Sequence, residues 1–153
     1  MISITSDAID PLEVLESVKS NQAGASVLFV GSTRQFTGEK ETLQLEYECY
    51  ESMAIAKIQQ LVDAAGDKWN IEQCSVVHRI GVVGLGESSI VVAVSTGHRK
   101  ESFEAAAWLV DELKIQVPIW KKEFWADGKT EWVHPSGDQR RIPKNLNASR
   151  GAS

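Results

Sequence analysis

Pro118 separates a helical pattern from a strand pattern and thereby restricts the fold of the C-terminal half. Residues 100–116 carry apolar side chains at helical spacing, and a proline disfavours continuation of that helix. Beyond it, residues 119–125 (IWKKEFW) and 129–134 (KTEWVH) flank an Asp-Gly dipeptide at 127–128, which is typical of a hairpin turn. The sequence therefore predicts a helix that runs directly into a β-hairpin.

A helix is also predicted near the N-terminus. Asp10 suits the N-cap, Pro11 suits the first helical position, and Glu13 stands where a capping box needs an acidic residue. The apolar side of this helix is predicted to carry Leu12, Leu15 and Val18.

Strand and helix patterns alternate along the middle of the chain. Strands are predicted at residues 25–34, 43–50, 71–80 and 89–96, a helix at 52–65, a loop at 35–41 and a glycine-rich turn at 81–87. The buried face of the second of these strands is predicted to carry Leu43, Leu45, Tyr47 and Cys49. This order of elements favours an α+β fold, a single domain with about three helices and a mainly antiparallel or mixed sheet.

Composition limits the functions that such a domain can have. The 153 residues suffice for one domain, predicted at 1–136, and the polar segment 137–153 is predicted to be a flexible tail. The formal net charge of -5 argues against nucleic acid or an anionic membrane as partner, so any anion site must be a local cluster of cations. The N-terminus has neither the basic start nor the apolar core of a signal peptide, and a cytoplasmic location is expected.

Lys114 is the first candidate functional residue. The apolar side of the third predicted helix consists of Phe103, Ala106, Ala107, Val110, Leu113 and Val117. Lys114 falls on that same side, in the last turn before the proline. Either its aliphatic stem packs there while the ammonium reaches solvent, or partial desolvation makes the amine reactive.

Further cations lie near predicted strand ends. Lys121 and Lys122 are neighbours on a predicted strand and must point to opposite faces, so at most one can share a pocket with Lys114. His98 and Arg99 stand at a strand-to-helix junction, where the helix N-terminus attracts anions. Arg34 follows the first long strand and could pair with a phosphate. For both the junction and Arg34, exposed charges without a ligand remain the alternative.

Other chemistries find no support. The glycines at 81–87 match neither phosphate-loop pattern, and the three histidines lack metal-ligand spacing. Cys49 and Cys74 form no disulfide framework and have no activating neighbour. No metal or other cofactor is therefore expected.

Six motifs stand in unbroken order between about Gly24 and Val133: FVGSTR, LEYECYESMA, VVHRIG, GE at 86–87, VAVSTGHRKESFEA and DELKIQVPIWKKE. Together they resemble the catalytic (large) subunit family of molybdopterin synthase. Ser32-Thr33 departs from the Thr-Val usual before the arginine, and the tail with Arg140 and Arg141 has no match.

The resemblance implies a sulfurtransferase. Two sulfurs pass from the C-terminal thiocarboxylate of a small ubiquitin-like subunit to cyclic pyranopterin monophosphate, whose cyclic phosphate opens to give the molybdopterin dithiolene. By this resemblance Lys114 and Lys121 match catalytic lysines, while Arg34, His98 and Arg99 match substrate-binding positions. The family assembles as a homodimer within a heterotetramer, so the arginine and histidine positions could be shared between subunits.

Two other functions compete with this one. The chain could be a non-enzymatic dimeric module that binds the C-terminal tail of a partner protein. It could also be a phosphate-ester enzyme that uses Arg34, His98 and Arg99 without a sulfur donor.

Overall fold

The computed structural model describes residues 1–133. In chain order, the elements are β1 (Ile2–Thr5), α1 (Pro11–Glu16), β2 (Ala25–Ser32), β3 (Phe36–Thr37), β4 (Lys40–Cys49), α2 (Glu51–Lys68), β5 (Ile71–Arg79), β6 (Gly81–Gly84), β7 (Ser88–Thr96), α3 (Arg99–Gln116), β8 (Ile119–Trp125) and β9 (Thr130–Val133). The last residues of the predicted domain and the predicted tail, with Arg140 and Arg141, lie outside the described part of the chain.

Two sheets form the scaffold. The first has the order β1-β5-β7-β2, in which β1 is parallel to β5 and the other pairs are antiparallel. The second runs β3-β4-β8-β9 with β6 also paired to β4, and all of its pairs are antiparallel. The predicted α+β fold with a mixed sheet and three helices is therefore confirmed.

The first sheet is covered on both faces. Val92 and Val94 of β7 pack with α2 and α3 in the main core, while Val91 and Ala93 face α1. A strand covered on both faces reads as a continuous apolar run, because alternate residues enter different cores. This explains the sequence IVVAV in β7.

The C-terminal half follows the pattern expected around Pro118. The α3 helix ends at Gln116, Val117 is extended, and β8 begins at Ile119. The turn between β8 and β9 contains Gly128 with φ of 85°, a backbone conformation that glycine adopts without strain. The predicted helix and hairpin are both present.

Two short strands lie where the sequence predicted none, and a third corrects a predicted turn. The β1 strand was not predicted, and β3 falls within the predicted loop at 35–41. Residues 81–84, predicted as part of a turn, form β6 and pair with residues 44–47 of β4. The prediction was wrong because glycines at both ends of this strand masked its two valines, Val82 and Val83. The turn itself is confined to the residues that follow.

Two predicted buried faces also need correction. Leu12 is exposed and Val14 is buried in its place, because α1 ends at Glu16 and turns a different side to the sheet. Leu43 is exposed because the β4–β8 pairing shifts register between Thr42 and Gln44, which turns Thr42 inward instead. The predicted N-cap is confirmed, since the Leu12 amide donates to the Asp10 carboxylate.

The helices of residues 1–133 include none with the length and apolar character needed to cross a bilayer.

Candidate active site

A cavity of about 440 Å³ opens between the two sheets, where α3 gives way to β8. Its walls combine apolar side chains from both sheets and both long helices, among them Phe29, Leu45, Ile58, Ile90 and Val110. Polar and charged groups enter from β2 and the segment after it, and from β4, β5, β7, β8 and the end of α3. This mixture suits a ligand with a partly apolar body and an anionic group.

Three of the predicted site residues meet at this cavity. Arg34, Lys114 and Lys121 all line it, although they lie far apart in the sequence. Arg34 and Lys114 have no ion-pair partner within residues 1–133. With Glu123 as the carboxylate among the lining residues, the cavity carries two net positive charges in a chain whose formal net charge is -5. The local cation cluster that an anion would require is present.

The position of Arg34 is set by the turn between β6 and β7. The amide of its neighbour Thr33 donates to the Glu87 carbonyl over 3.1 Å, and the Gly86 amide donates to the Thr33 carbonyl over 2.8 Å. Gly86 has φ of 77°, so glycine relieves strain at this contact. These two hydrogen bonds fix the backbone from which Arg34 extends to the cavity.

Lys114 lies beside the buried side of α3 rather than within it. The buried residues of the helix are Ser102, Ala105, Ala106, Leu109, Val110 and Leu113. Phe103, Ala107 and Lys114 form an exposed ridge next to them, so the predicted apolar side was displaced toward Phe103. The helix packs on β2, β7 and α2, and the side turned toward them carries these buried residues. Lys114 nevertheless reaches the cavity from the helix end.

Lys121 and Lys122 separate as strand geometry requires. Lys121 faces the cavity, whereas the Lys122 ammonium lies 5.2 Å from the Phe124 ring centre and 5.8 Å from that of Trp132. Lys122 therefore makes cation–π contacts away from the cavity. The pair supplies a site residue and a natural control one position apart.

Glu123 is a buried carboxylate inside the cavity. Its Oε1 atom lies 3.2 Å from the Lys121 Nζ atom, and its Oε2 atom is buried without a hydrogen-bond partner in the described structure. The two side chains are two positions apart on β8 and therefore share a face. Sequence reasoning did not select Glu123, yet this spacing from Lys121 was the signal that could have found it.

Tyr47 and His78 form the neutral part of the cavity wall. Burial raises the pKa of the Tyr47 phenol. A hydrogen bond with Ser89 acts to lower this pKa, and the charge of Glu123 acts to raise it further. Burial lowers the pKa of His78 to about 4. A hydrogen bond from its ring to the Arg79 carbonyl acts to raise this pKa, but its effect is smaller than that of burial. Both groups are therefore uncharged near neutral pH, and their rings meet edge to face at 5.1 Å. The place of His78 within a strand gives no sequence signal of a site residue.

His98 and Arg99 are not part of this cavity. Both are exposed at the start of α3, while Lys114 is in its last turn. Fifteen residues of helix separate Arg99 from Lys114, which corresponds to about 22 Å along the axis. Within one chain, the structure brings together three of the five predicted site residues and leaves these two at the opposite end of the helix.

Neither cysteine contributes to the cavity lining. Burial raises the pKa of both thiols to about 11, with Glu51 adding to the effect at Cys49. A thiol in this state is a poor nucleophile at neutral pH. Within residues 1–133, no group of three or more histidine, cysteine, aspartate or glutamate side chains could hold a metal ion.

Comparison with known proteins finds close relatives across most of the chain. The molybdopterin synthase catalytic subunit of Bacillus subtilis is 40% identical over 136 residues, which cover 89% of this chain and 84% of the relative. That of Dictyostelium discoideum is 42% identical over 134 residues, covering 86% and 85%.

Solved structures agree with the sequence comparison. The molybdopterin synthase structure from Staphylococcus aureus superposes with a TM-score of 0.80 at 36% identity, over 84% of this chain and 93% of the other. The MoaE protein family matches residues 4–116. A family match over most of the chain, together with relatives of this similarity, establishes that the chain belongs to the MoaE family.

Proposed function

We propose that this chain is the catalytic subunit of a molybdopterin synthase, a sulfurtransferase. It would move two sulfurs from the C-terminal thiocarboxylate of a small ubiquitin-like subunit to cyclic pyranopterin monophosphate. The observation that carries the proposal is the convergence of Arg34, Lys114 and Lys121 on one cavity in a member of the MoaE family. The cavity has apolar walls for a flat ring and cations for a phosphate.

Lys114 is proposed to stabilise negative charge during sulfur transfer. A thiocarboxylate sulfur displaces an oxygen from a carbon of the pterin substrate, so a C–O bond breaks and the tail is held as a thioester. Water then attacks the acyl carbon and breaks the acyl C–S bond, which leaves the sulfur on the substrate and the tail as a carboxylate. Negative charge develops on the acyl oxygen during this attack. A cation fixed at the edge of an apolar cavity favours that charged state over the neutral one. Lys114 is exposed and enters the cavity from outside the buried core, so it is accessible to another chain.

Arg34 and Lys121 are proposed to hold the phosphate. A guanidinium matches two phosphate oxygens at once, and the anchored backbone at Thr33 gives Arg34 a defined origin. Lys121 either shares this phosphate or donates a proton when the cyclic phosphate opens. Its ammonium carries three donors, so it can pair with Glu123 and still contact substrate.

His98 and Arg99 are proposed to serve the cavity of a second copy of the chain. They lie about 22 Å along α3 from Lys114, which is too far to share a small substrate within one chain. In a two-fold dimer, residues at one end of an element can meet the other end of its symmetry mate. A homodimer would thus add two cations to each cavity.

The sulfur donor is proposed to be a separate small subunit. No cysteine of the described residues lines the cavity, so the sulfur must come from elsewhere. A structure from Helicobacter pylori, 22% identical to this chain, is described as a complex of subunits 1 and 2 of molybdopterin-converting factor. We propose the same kind of pairing here, with two catalytic and two small subunits, located in the cytoplasm.

Reconstitution from purified parts tests this function. The chain is mixed with precursor and thiocarboxylated small subunit, and the product is identified by mass spectrometry. The proposal predicts a product with two added sulfurs, which is absent when the small subunit carries an ordinary carboxylate. Opening of the precursor without any small subunit would favour a phosphate-ester enzyme instead. Tail binding without product would favour a binding module.

A further inference from the structure

The Glu123 carboxylate has no role in the function proposed above, although it lines the cavity. Its side chain is buried, with the residue 7% exposed, and it is the carboxylate among the residues that line the cavity. Burying an ionised carboxylate is costly unless a partner compensates for the lost water. A group of this kind is expected to be retained for a reason beyond packing.

Its surroundings point to Lys121 as that partner. The Nζ atom of Lys121 lies 3.2 Å from Oε1, and both residues project from the same face of β8. Across the strand pair, Tyr47 lies opposite Lys121 and Leu45 lies opposite Glu123, and both also line the cavity. The ion pair is thus enclosed by β4 on one side and by the cavity on the other.

The second oxygen of the Glu123 carboxylate indicates that this residue has a functional role rather than a purely structural one. Oε2 is buried and accepts no hydrogen bond from the described residues. An unsatisfied buried acceptor costs about 1–3 kcal/mol, so a carboxylate that only stabilised the fold would be expected to have both oxygens satisfied. A free oxygen beside the ammonium lets Lys121 shift within the cavity without leaving the carboxylate.

Charge gives a further reason for such a group. Arg34 and Lys114 line the same cavity without ion-pair partners in the described part of the chain, and they repel a third cation. An unanchored Lys121 side chain is long and flexible enough to turn toward solvent. A neighbouring carboxylate keeps it inside while the cavity is empty.

We propose that Glu123 is a positioning residue that holds the Lys121 ammonium in the cavity, ready for the substrate. The proposal rests on the function given above and adds a residue to it. Glu123 acts through Lys121 and does not itself contact the reacting atoms. Removing its charge leaves the cavity intact and lets Lys121 leave its working position.

A double-mutant cycle tests whether the two residues act together. The variants are Glu123→Gln, Lys121→Ala and the double substitution, with kcat and KM for the precursor measured in the reconstituted synthase. Glu123→Gln is expected to lower kcat/KM about tenfold in the otherwise native chain and less than about twofold when Lys121 is already alanine. An equal loss in both backgrounds would overturn the proposal, because a merely structural role does not depend on Lys121.

A second measurement does not require activity or the Lys121 variant. Trace acylation of lysines, quantified by mass spectrometry, compares the native chain with Glu123→Gln, which is close in shape. Labelling of Lys121 is expected to rise several-fold, because an amine released from a carboxylate reaches the reagent more freely, while Lys122 stays unchanged. Unchanged labelling of Lys121 would overturn the proposal even if the synthase is active. If the native chain made no product, the labelling comparison alone would decide whether Glu123 holds Lys121 in place.

Discussion

The two ends of α3 both carry cations, but they lie in different surroundings. At the C-terminal end, Lys114 meets Arg34 and Lys121 at a cavity walled by both sheets. At the N-terminal end, His98 and Arg99 are exposed beside a strand-to-helix turn. Residue type and exposure are similar at the two ends, since Lys114 and Arg34 are also exposed, so the difference lies in convergence on a cavity. A cation becomes part of a site when the fold brings it together with other cations at the wall of a cavity that can hold an anion.

The largest expected effect is the difference in activity between a variant inside the cavity and a variant on the surface next to it. Lys114→Ala is expected to lower the rate of product formation at least about 100-fold, because the charge that develops on the acyl oxygen loses its counter-ion. Lys122→Ala is the matched control, since its ammonium lies over aromatic rings outside the cavity. It is expected to lose less than about threefold. Similar losses in both variants would mean that general positive charge, rather than the cavity, matters.

The next effect tests whether the two ends of α3 join in a dimer. Lys114→Ala and Arg99→Ala chains are each expected to be weakly active alone. Refolded together at equal amounts, they are expected to recover about one quarter of native activity, because half of the dimers are mixed and each mixed dimer has one intact cavity. Recovery is read from product formation by the mixture against each parent.

No recovery in this mixture would place Arg99 on its own chain's cavity or outside the site altogether. The control is a mixture of Lys114→Ala with Lys121→Ala. Both residues belong to one cavity, so neither cavity of a mixed dimer is intact and no recovery is expected.

A smaller effect concerns stability: the free energy of unfolding is expected to depend on pH through the buried His78 and not in the same way through the exposed His98. The folded-state pKa of His78 is lowered to about 4 from an ordinary value of 6.5, so the unfolded chain binds the proton first as the pH falls. The stability that neutral His78 provides is therefore present above pH 6.5 and lost as the pH falls toward 4. The loss amounts to about 3 kcal/mol in the free energy of unfolding.

Urea unfolding at pH 7 and pH 4 measures this contribution. The stability difference between the native chain and His78→Gln is expected to shrink by about 3 kcal/mol on acidification. His98→Gln serves as the control at an exposed position. The same pH response in both variants would contradict the assignment of this loss to burial of His78.

Much of the fold followed from local patterns. Pro118 correctly divided α3 from β8, and the Asp-Gly dipeptide at 127–128 marked the turn before β9. The predictions that were wrong depended on contacts distant in sequence. The two valines of β6 become a strand only because β4 offers an open edge, and Leu43 is turned outward by a bulge set by pairing with β8.

The candidate site was predictable only in part, because the residue types are local features whereas their burial and contacts depend on residues distant in sequence. Residue type and place in the motifs selected Arg34, Lys114 and Lys121, and the structure brings them to one cavity. Helix periodicity placed Lys114 within the apolar side, whereas docking of α3 on the first sheet leaves it on an exposed ridge. Glu123 was not predicted because an acidic residue on a strand is usually exposed, and its burial beside Lys121 is visible only in the structure.

Protection of lysines by the precursor tests the central claim most directly, which is that the cavity at the end of α3 binds the pterin phosphate. The native chain is trace-acylated with and without saturating precursor, and each lysine is quantified by mass spectrometry. The account predicts reduced labelling at Lys114 and Lys121, with Lys19 and Lys122 unchanged. Unchanged labelling of Lys114 and Lys121 in the presence of bound precursor would contradict it.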